Sequence, residues 1–270
     1  MPSSDPSPAQ FTTARVAVLS ASAHDARLSV AHDLARKLSL PLISDDAAGT
    51  FELLLAVCDQ RLELRETGPR AAGPILVDFV NGPVGFRRLS SGSRAQPIAS
   101  AVGLRSGVTR VVDATAGLAR DAFLLACLGC FVTAIERSAV LGALVQDGLA
   151  RASTDGPTDL APVLDRITFL TADARHWLAG LSESDKPDVV YLDPMYPPKT
   201  KTAKAKKEPR ICRKLVGDDP DAAELSDIAR RTARRRVVVK RHRHAPALGP
   251  EPDLRFAGKQ VRYDVYLVQP

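Results

Sequence analysis

The sequence predicts an α/β protein: a doubly wound, mostly parallel sheet with an antiparallel C-terminal hairpin, preceded by a small N-terminal α/β subdomain. Three observations carry this. After Val108, the short β-branched runs "VTRVVDA", "FVTAIER", "ITFLTAD", "DVVYLDP" and "RRVVVKR" alternate with segments of helical period. Those runs are apolar throughout, as strands covered by helices on both faces are. The chain then closes in "LRFAGKQVRYDVYLVQ", whose two runs suit an antiparallel pair at a sheet edge.

Taken in order, residues 1–14 are Pro/Ser-rich and are expected to be a disordered tail. Residues 15–100 form the expected N-terminal subdomain. Within it "VAVLS" reads as a strand, "DARLSVAHDLARKLSL" as an amphipathic helix, and "ELLLAV" and "LELRET" as a strand pair around Cys58-Asp-Gln-Arg61. "PILVDFV" is expected to be a further strand closed by an Asn81-Gly82-Pro83 turn, and "RRLSSGSRAQP" a loop. Residues 101–270 form the main domain. Its helices are expected in "ARDAFLLACLG", "AVLGALVQDGLARA", "ARHWLAGL" and "DAAELSDIARRTA".

A chain of 270 residues is long enough to bury a sizeable core. No stretch approaches the roughly 20 apolar residues of a membrane span, and the first residues lack the basic-then-apolar order of a signal peptide. A cytoplasmic, monomeric protein is expected. Cys127 and Cys130 have C-x-x-C spacing, but no second Cys/His pair lies near in sequence, so no metal site is expected and the pair reads as small core residues. The net charge of +6 points to a polyanionic partner, and its distribution sharpens the point. Residues 199–214 hold eight Lys/Arg against one Glu, and residues 230–244 hold eight Lys/Arg, two His and no acid.

In an open parallel sheet, ligands bind outside the carboxyl ends of the strands. Four consecutive runs end in an acid there: Asp113, Glu136, Asp173 and Asp193. Each alone could equally cap a helix. The first turn, "DATAGLARD", is rich in small residues around Gly117 and leads into a helix, yet it lacks the G-x-G-x-x-G fingerprint of a dinucleotide site. Glu136 lies 23 residues after Asp113, a spacing that suits an acid binding a ribose hydroxyl pair. A ribose and a cationic group without a pyrophosphate describe S-adenosylmethionine. In Asp193-Pro194-Met195-Tyr196, the Asp193 carboxylate and the Pro194 carbonyl could accept both N–H groups of an exocyclic base amine. Tyr196 could stack on a base that has been flipped out, worth about 1–3 kcal/mol. Lys199, Lys201, Lys204, Lys206, Lys207 and Arg210 follow directly, and Lys240, Arg241 and Arg243 come from the fifth run and its loop; these cations are expected to bind phosphates. His242 and His244 read as solvated members of that loop.

The strings "VVDATAGLARDAFLLACLGCFVTAIERS", "VVYLDPMYPPKTKTAKAKKEPR", "LVGDDPDAAEL" and "RRVVVKR" closely resemble the bacterial ribosomal RNA small-subunit methyltransferase J family. The resemblance spans about residues 75–268 and is weak before residue 50. It implies a class I S-adenosylmethionine-dependent methyltransferase with a Rossmann-like sheet, acting on a guanine N2 amine of 16S rRNA near its 3′ end, on RNA or on the small subunit. Its cofactor positions fall on Arg120-Asp121, Glu136-Arg137, Asp173-Ala174 and Asp193. Asp173-Ala174 stands where the family often has a Ser pair. Ala119 stands where Gly is usual, and its methyl is expected to sit on an unstrained backbone. Three other readings stay open at this level: a methyltransferase for another amine such as adenine N6, a nicotinamide-dependent reductase, and a non-catalytic RNA-binding or ribosome-assembly protein.

Overall fold

A computed structural model describes residues 14–82, 96–195 and 207–268. Its strands are β1 (Val16–Ser20), β2 (Leu42–Ile43), β3 (Leu53–Val57), β4 (Leu62–Glu66), β5 (Arg110–Asp113), β6 (Phe131–Glu136), β7 (Ile167–Thr171), β8 (Val189–Leu192), β9 (Arg236–His242), β10 (Leu254–Ala257) and β11 (Val261–Leu267). Its helices are α1 (Asp25–Leu38), α2 (Pro97–Val102), α3 (Arg120–Cys127), α4 (Ala139–Asp155), α5 (Ala161–Leu164), α6 (Ala174–Ala179), α7 (Lys207–Val216) and α8 (Ala222–Thr232). The chain divides into two compact units, one of Met1–Val77, Arg137–Arg151 and Met195–Asp218, the other of Asp78–Glu136, Ala152–Pro194 and Asp219–Pro270.

The first unit is built on a sheet of order β2-β1-β3-β4, parallel except for the β3–β4 pair. The expected strand pair forms, and Cys58 N–H donates to the Arg61 carbonyl at its turn. Helix α1 buries Ala31, Ala35 and Leu38, as its apolar spacing requires. "PILVDFV" differs from expectation. Only Ile75 pairs, exchanging two backbone hydrogen bonds of 2.8 and 2.9 Å with Leu64. The run ends early because Arg151 takes the Val77 carbonyl and because the Asp78 carboxylate accepts the Val80 and Asn81 N–H groups, curling the chain into a turn. The turn expected at Asn81-Gly82-Pro83 is described only through Gly82; Pro83, most of the "RRLSSGSRAQP" loop and the tail before Ala14 lie outside the described residues.

The second unit holds the sheet of order β10-β11-β9-β8-β5-β6-β7. Strands β5 to β9 are mutually parallel, and β11 runs antiparallel between β9 and β10, which is the expected hairpin at the edge. Successive strands step outward from β5 through β6 to β7, after which the chain returns to the other side of β5 with β8. The order therefore reverses between β5 and β8, and it is at the carboxyl ends of such a pair that open α/β sheets form their ligand crevice. Val112, Val190, Leu192, Val237 and Val239 line one face under Leu178 of α6 and Leu225 and Ala229 of α8. On α3, Ala122, Phe123, Leu124, Leu125 and Ala126 are buried, and Phe123 stacks on Phe79 with ring centroids 4.8 Å apart. Among the described residues, no helix is long and apolar enough to cross a membrane.

In the first unit, α7 is clamped by charge. Arg210 donates to both carboxylate oxygens of Glu66, at 2.7 and 2.6 Å, and Lys214 lies 3.5 Å away. Glu66 is nearly buried, and Arg210 holds its carboxyl down at about 2 from an ordinary 4.5. A depressed carboxyl stabilises the fold above its unfolded value, and that contribution is lost as pH falls from about 4.5 to about 2. Glu66→Gln is expected to lower stability at pH 7 by about 1–3 kcal/mol, and to shrink the further loss in that acid window when denaturation is followed at pH 7, 4 and 3.

Candidate active site at the strand ends

The turn after β5 is held by three hydrogen bonds. Ala114 N–H donates to the Tyr191 carbonyl at 3.0 Å and Ala116 N–H to the Ile135 carbonyl at 2.9 Å, so the turn is stitched to both neighbouring strands. Gly117 N–H donates to Glu136 Oε2 at 2.8 Å. Gly117 has φ +53°, and a Cβ placed on it would meet nothing within 4 Å, so the backbone faces open space there. The carboxylate at the end of β6 thus braces the turn beside that space. Ala119 shares the left-handed conformation, with φ +54°, while almost wholly buried. The expectation of an unstrained backbone at Ala119 is corrected: its Cβ crowds the following carbonyl.

A second turn, after β8, faces the first. Asp193 N–H donates to Thr115 Oγ1 at 2.6 Å, and Thr115 N–H donates to Asp113 Oδ1 at 3.2 Å. Asp193 Oδ2 accepts from Lys240 Nζ at 2.8 Å, and the same ammonium donates to Asp121 Oδ2 at 2.6 Å. Tyr191, fully buried, donates its hydroxyl to that Asp121 oxygen at 2.6 Å, with the Tyr263 ring tilted against it. Two carboxylates therefore share one ammonium, with Asp113 close by. Burial, with Asp121 nearby, pushes the Asp113 carboxyl well above the usual carboxylate range. Tyr191 is likewise raised by burial and by Asp121 and stays neutral. Burial works against the charge on Lys240, but Asp193 and Asp121 outweigh it and hold the ammonium charged. Asp193 shows 41% of its side chain to the surface, yet protein crowds its other sides. Loss of hydration there raises its carboxyl, Lys240 draws it down, and Asp121 raises it again, for a net upward shift.

Asp113, Gly117, Asp121, Glu136, Asp193 and Pro194 come together at the crevice. Arg120 and Arg137 are half-buried beside their acids in the chain. Asp173 caps α6, accepting from Arg175 N–H at 2.8 Å, and pairs with the Arg175 guanidinium at 2.7 Å, which holds its carboxyl low despite partial burial. Its carboxylate is spent on protein donors, and Ala174 behind it is buried. The expected phosphate contacts divide. Tyr196, Lys199, Lys201, Lys204 and Lys206 lie outside the described residues. Lys207 donates to the Pro74 carbonyl at 2.8 Å, and Arg210 is committed to Glu66. Lys240 faces the carboxylates of the crevice instead of solvent. Arg241 is 4% exposed and donates to the Pro246 carbonyl. Arg243 is exposed, as are His242 and His244, whose rings lie 6.0 Å apart. Sequence reasoning missed Thr115, Tyr191 and the pairing of Lys240 with two carboxylates. The available signal was a tyrosine and a lysine inside otherwise apolar strands, where a polar side chain needs a partner.

The reversal between β5 and β8, the antiparallel β11 and the braced turn with an acid at the next strand end define a class I S-adenosylmethionine-dependent methyltransferase. The family of SAM-dependent methyltransferases matches the chain over residues 33–268. The protein named "Ribosomal RNA small subunit methyltransferase J" of Thioalkalivibrio sulfidiphilus is 49% identical over 88% of this chain and 92% of its own. The protein of the same name from Pseudomonas fluorescens strain Pf0-1 is 48% identical over 87% of this chain and 89% of its own. A solved SAM-dependent methyltransferase from Neisseria gonorrhoeae superimposes with a TM-score of 0.70 at 32% identity, covering 94% of this chain and 96% of that one. The chain belongs to the ribosomal RNA small subunit methyltransferase J family.

Strain at Ala119 can be measured. Ala119→Gly removes a left-handed penalty of about 1–2 kcal/mol and loses a buried methyl worth about 0.8 kcal/mol. A urea denaturation midpoint higher than that of the parent protein is expected, for a gain of up to about 1 kcal/mol; a lower midpoint would show that the methyl matters more than the strain.

Proposed function

We propose that this protein transfers a methyl group to the exocyclic N2 amine of a guanine in 16S rRNA, near its 3′ end, and works as a cytoplasmic monomer without a metal ion. The observation that carries the reading is Asp193-Pro194 at the switch point, its backbone fixed by Thr115, in a chain whose relatives bear the rRNA methyltransferase name.

The residues fit the cofactor that the family implies. The Gly117 turn leaves open space at its backbone, and Glu136, already bracing that turn, offers a carboxylate for ribose hydroxyls. Asp121, Arg120, Arg137 and Asp113 are proposed to complete the surroundings, and Asp173-Ala174 to border the base through backbone groups, since the Asp173 side chain is engaged. When bound, S-adenosylmethionine supplies a methyl carbon on a cationic sulfur, which departs as a neutral thioether with the electron pair of the broken C–S bond.

The protein's own contribution is positioning. A guanine amine delocalises its lone pair into the ring and is a weak nucleophile. Asp193 and the Pro194 carbonyl would accept its two N–H groups and aim the lone pair at the methyl carbon. As the new N–C bond forms, the nitrogen becomes cationic and acidic, and it sheds one proton to solvent without a strong base. Tyr196 is proposed to stack on the base, and the cations of residues 199–206, with Arg243, to meet phosphates.

Two measurements test this. Labelled methyl from S-adenosylmethionine should reach a single guanine N2 near the 16S 3′ end, in small subunits from cells lacking the enzyme. Label on an adenine N6, or no label on subunits or naked RNA that the protein still binds, would overturn the reading. Asp193→Ala should lower kcat/KM by about 10²–10³-fold or more while RNA affinity is largely kept; surviving activity would refute the site assignment.

A further inference from the structure

Lys240 was read from sequence as one cation of a phosphate-binding strip, and the structure gives it a different setting. On β9, Val237 and Val239 face the core beneath α8, so Val238 and Lys240 point to the opposite face, where Tyr191 and α3 lie. Register sets Val239 beside Leu192, so Lys240 comes level with the first residue past the end of β8, which is Asp193. The side chain is 21% exposed and spans two acids, Asp121 at 2.6 Å and Asp193 at 2.8 Å, both through Oδ2. The second Asp193 oxygen, Oδ1, accepts no hydrogen bond from any described residue.

A half-buried lysine with two carboxylate partners cannot easily exchange them for RNA phosphates, because withdrawing it would leave both acids without their cation in a crowded site. Its consequence falls on the acid that would meet the substrate amine. An amine presenting N–H groups needs an acceptor, and a protonated carboxyl offers one oxygen as a donor instead. Asp193 sits among groups that work against its charge: Asp113 of β5, Asp121 of α3, and Asp219 ahead of α8. Tyr191 of β8 contributes a neutral hydroxyl to the same cluster, and the Tyr263 ring of β11 lies tilted against it. Among the described residues, Lys240 is the cation in contact with it.

Resting on the methyltransfer reading above, we propose that Lys240 is a positioning residue for the reaction: by bridging Asp121 and Asp193 it keeps the Asp193 carboxylate ionised and fixed in orientation, with Oδ1 left to accept the substrate amine. Asp121 anchors the lysine and is itself anchored by the Tyr191 hydroxyl, so the chain Tyr191–Asp121–Lys240–Asp193 connects the sheet interior to the reacting edge.

The test is the pH profile of kcat for methyl transfer to small subunits, with cofactor and RNA saturating. In Lys240→Met, kcat at neutral pH should fall at least tenfold and the acid limb should move up by about 1–3 pH units, so that the deficit narrows as pH rises, while KM for RNA changes little. Lys240→Arg should restore part of the rate and return the limb toward its original place. Asp121→Asn, which removes the competing carboxylate but keeps an acceptor for Tyr191, should move the limb down. Should Lys240→Met fold poorly, as a thermal shift with S-adenosylhomocysteine would reveal, a limb close to the parent's in Lys240→Arg and a downward displacement in Asp121→Asn carry the test. A Lys240→Met profile superimposable on that of the parent protein, a deficit equal at every pH, or a loss of RNA affinity with kcat unchanged would overturn the proposal. Absence of transfer by the parent protein would instead sink the functional reading on which it rests.

Discussion

Like charge converges where the strand order reverses. Strand β5 delivers Asp113, α3 delivers Asp121 and the turn after β8 delivers Asp193, and a sheet edge that gathers three acids would repel itself without compensation. The compensation is internal and specific: one ammonium from β9 shared between two of the acids, one phenol from β8, and the Thr115 N–H at the turn after β5. Because these answers come from three different elements, the pairing of β5, β8 and β9 and the placement of α3 are conditions for the site to exist. The cost of burying the lysine is offset only in this company.

Much of the second unit could be read from the chain alone because its central strands are covered on both faces and therefore apolar throughout. Strand-end acids were legible for the same reason: each follows a run whose end is unambiguous. What could not be read was which way each acid's valence is spent. Asp173 caps α6 and holds Arg175 two residues later, a closure that exists only once the turn has formed. Glu136 turned out to hold a backbone N–H of the neighbouring turn, a partner distant in sequence.

Residues 207–216 show the opposite difficulty. Their cations dominate any count, and they suggested a contact strip. The intervening Ile211, Cys212 and Leu215 follow a helical period and are buried, so the charges are the outer side of a helix fastened to Glu66. "PILVDFV" misled in a related way: its β-branched composition favours a strand, but Asp78 offers its carboxylate to the next N–H groups and local turn chemistry takes precedence.

The hydrogen bond from Asp193 N–H to Thr115 Oγ1 has a further consequence. It joins the turn that would face the methyl donor to the turn that would hold the acceptor, across strands adjacent in space but 78 residues apart in sequence. In the proposed reaction, reach between donor carbon and acceptor nitrogen is then gauged by a single threonine hydroxyl acting as a caliper. A displacement of either turn would carry the other along, so the spacing between the two turns would be kept.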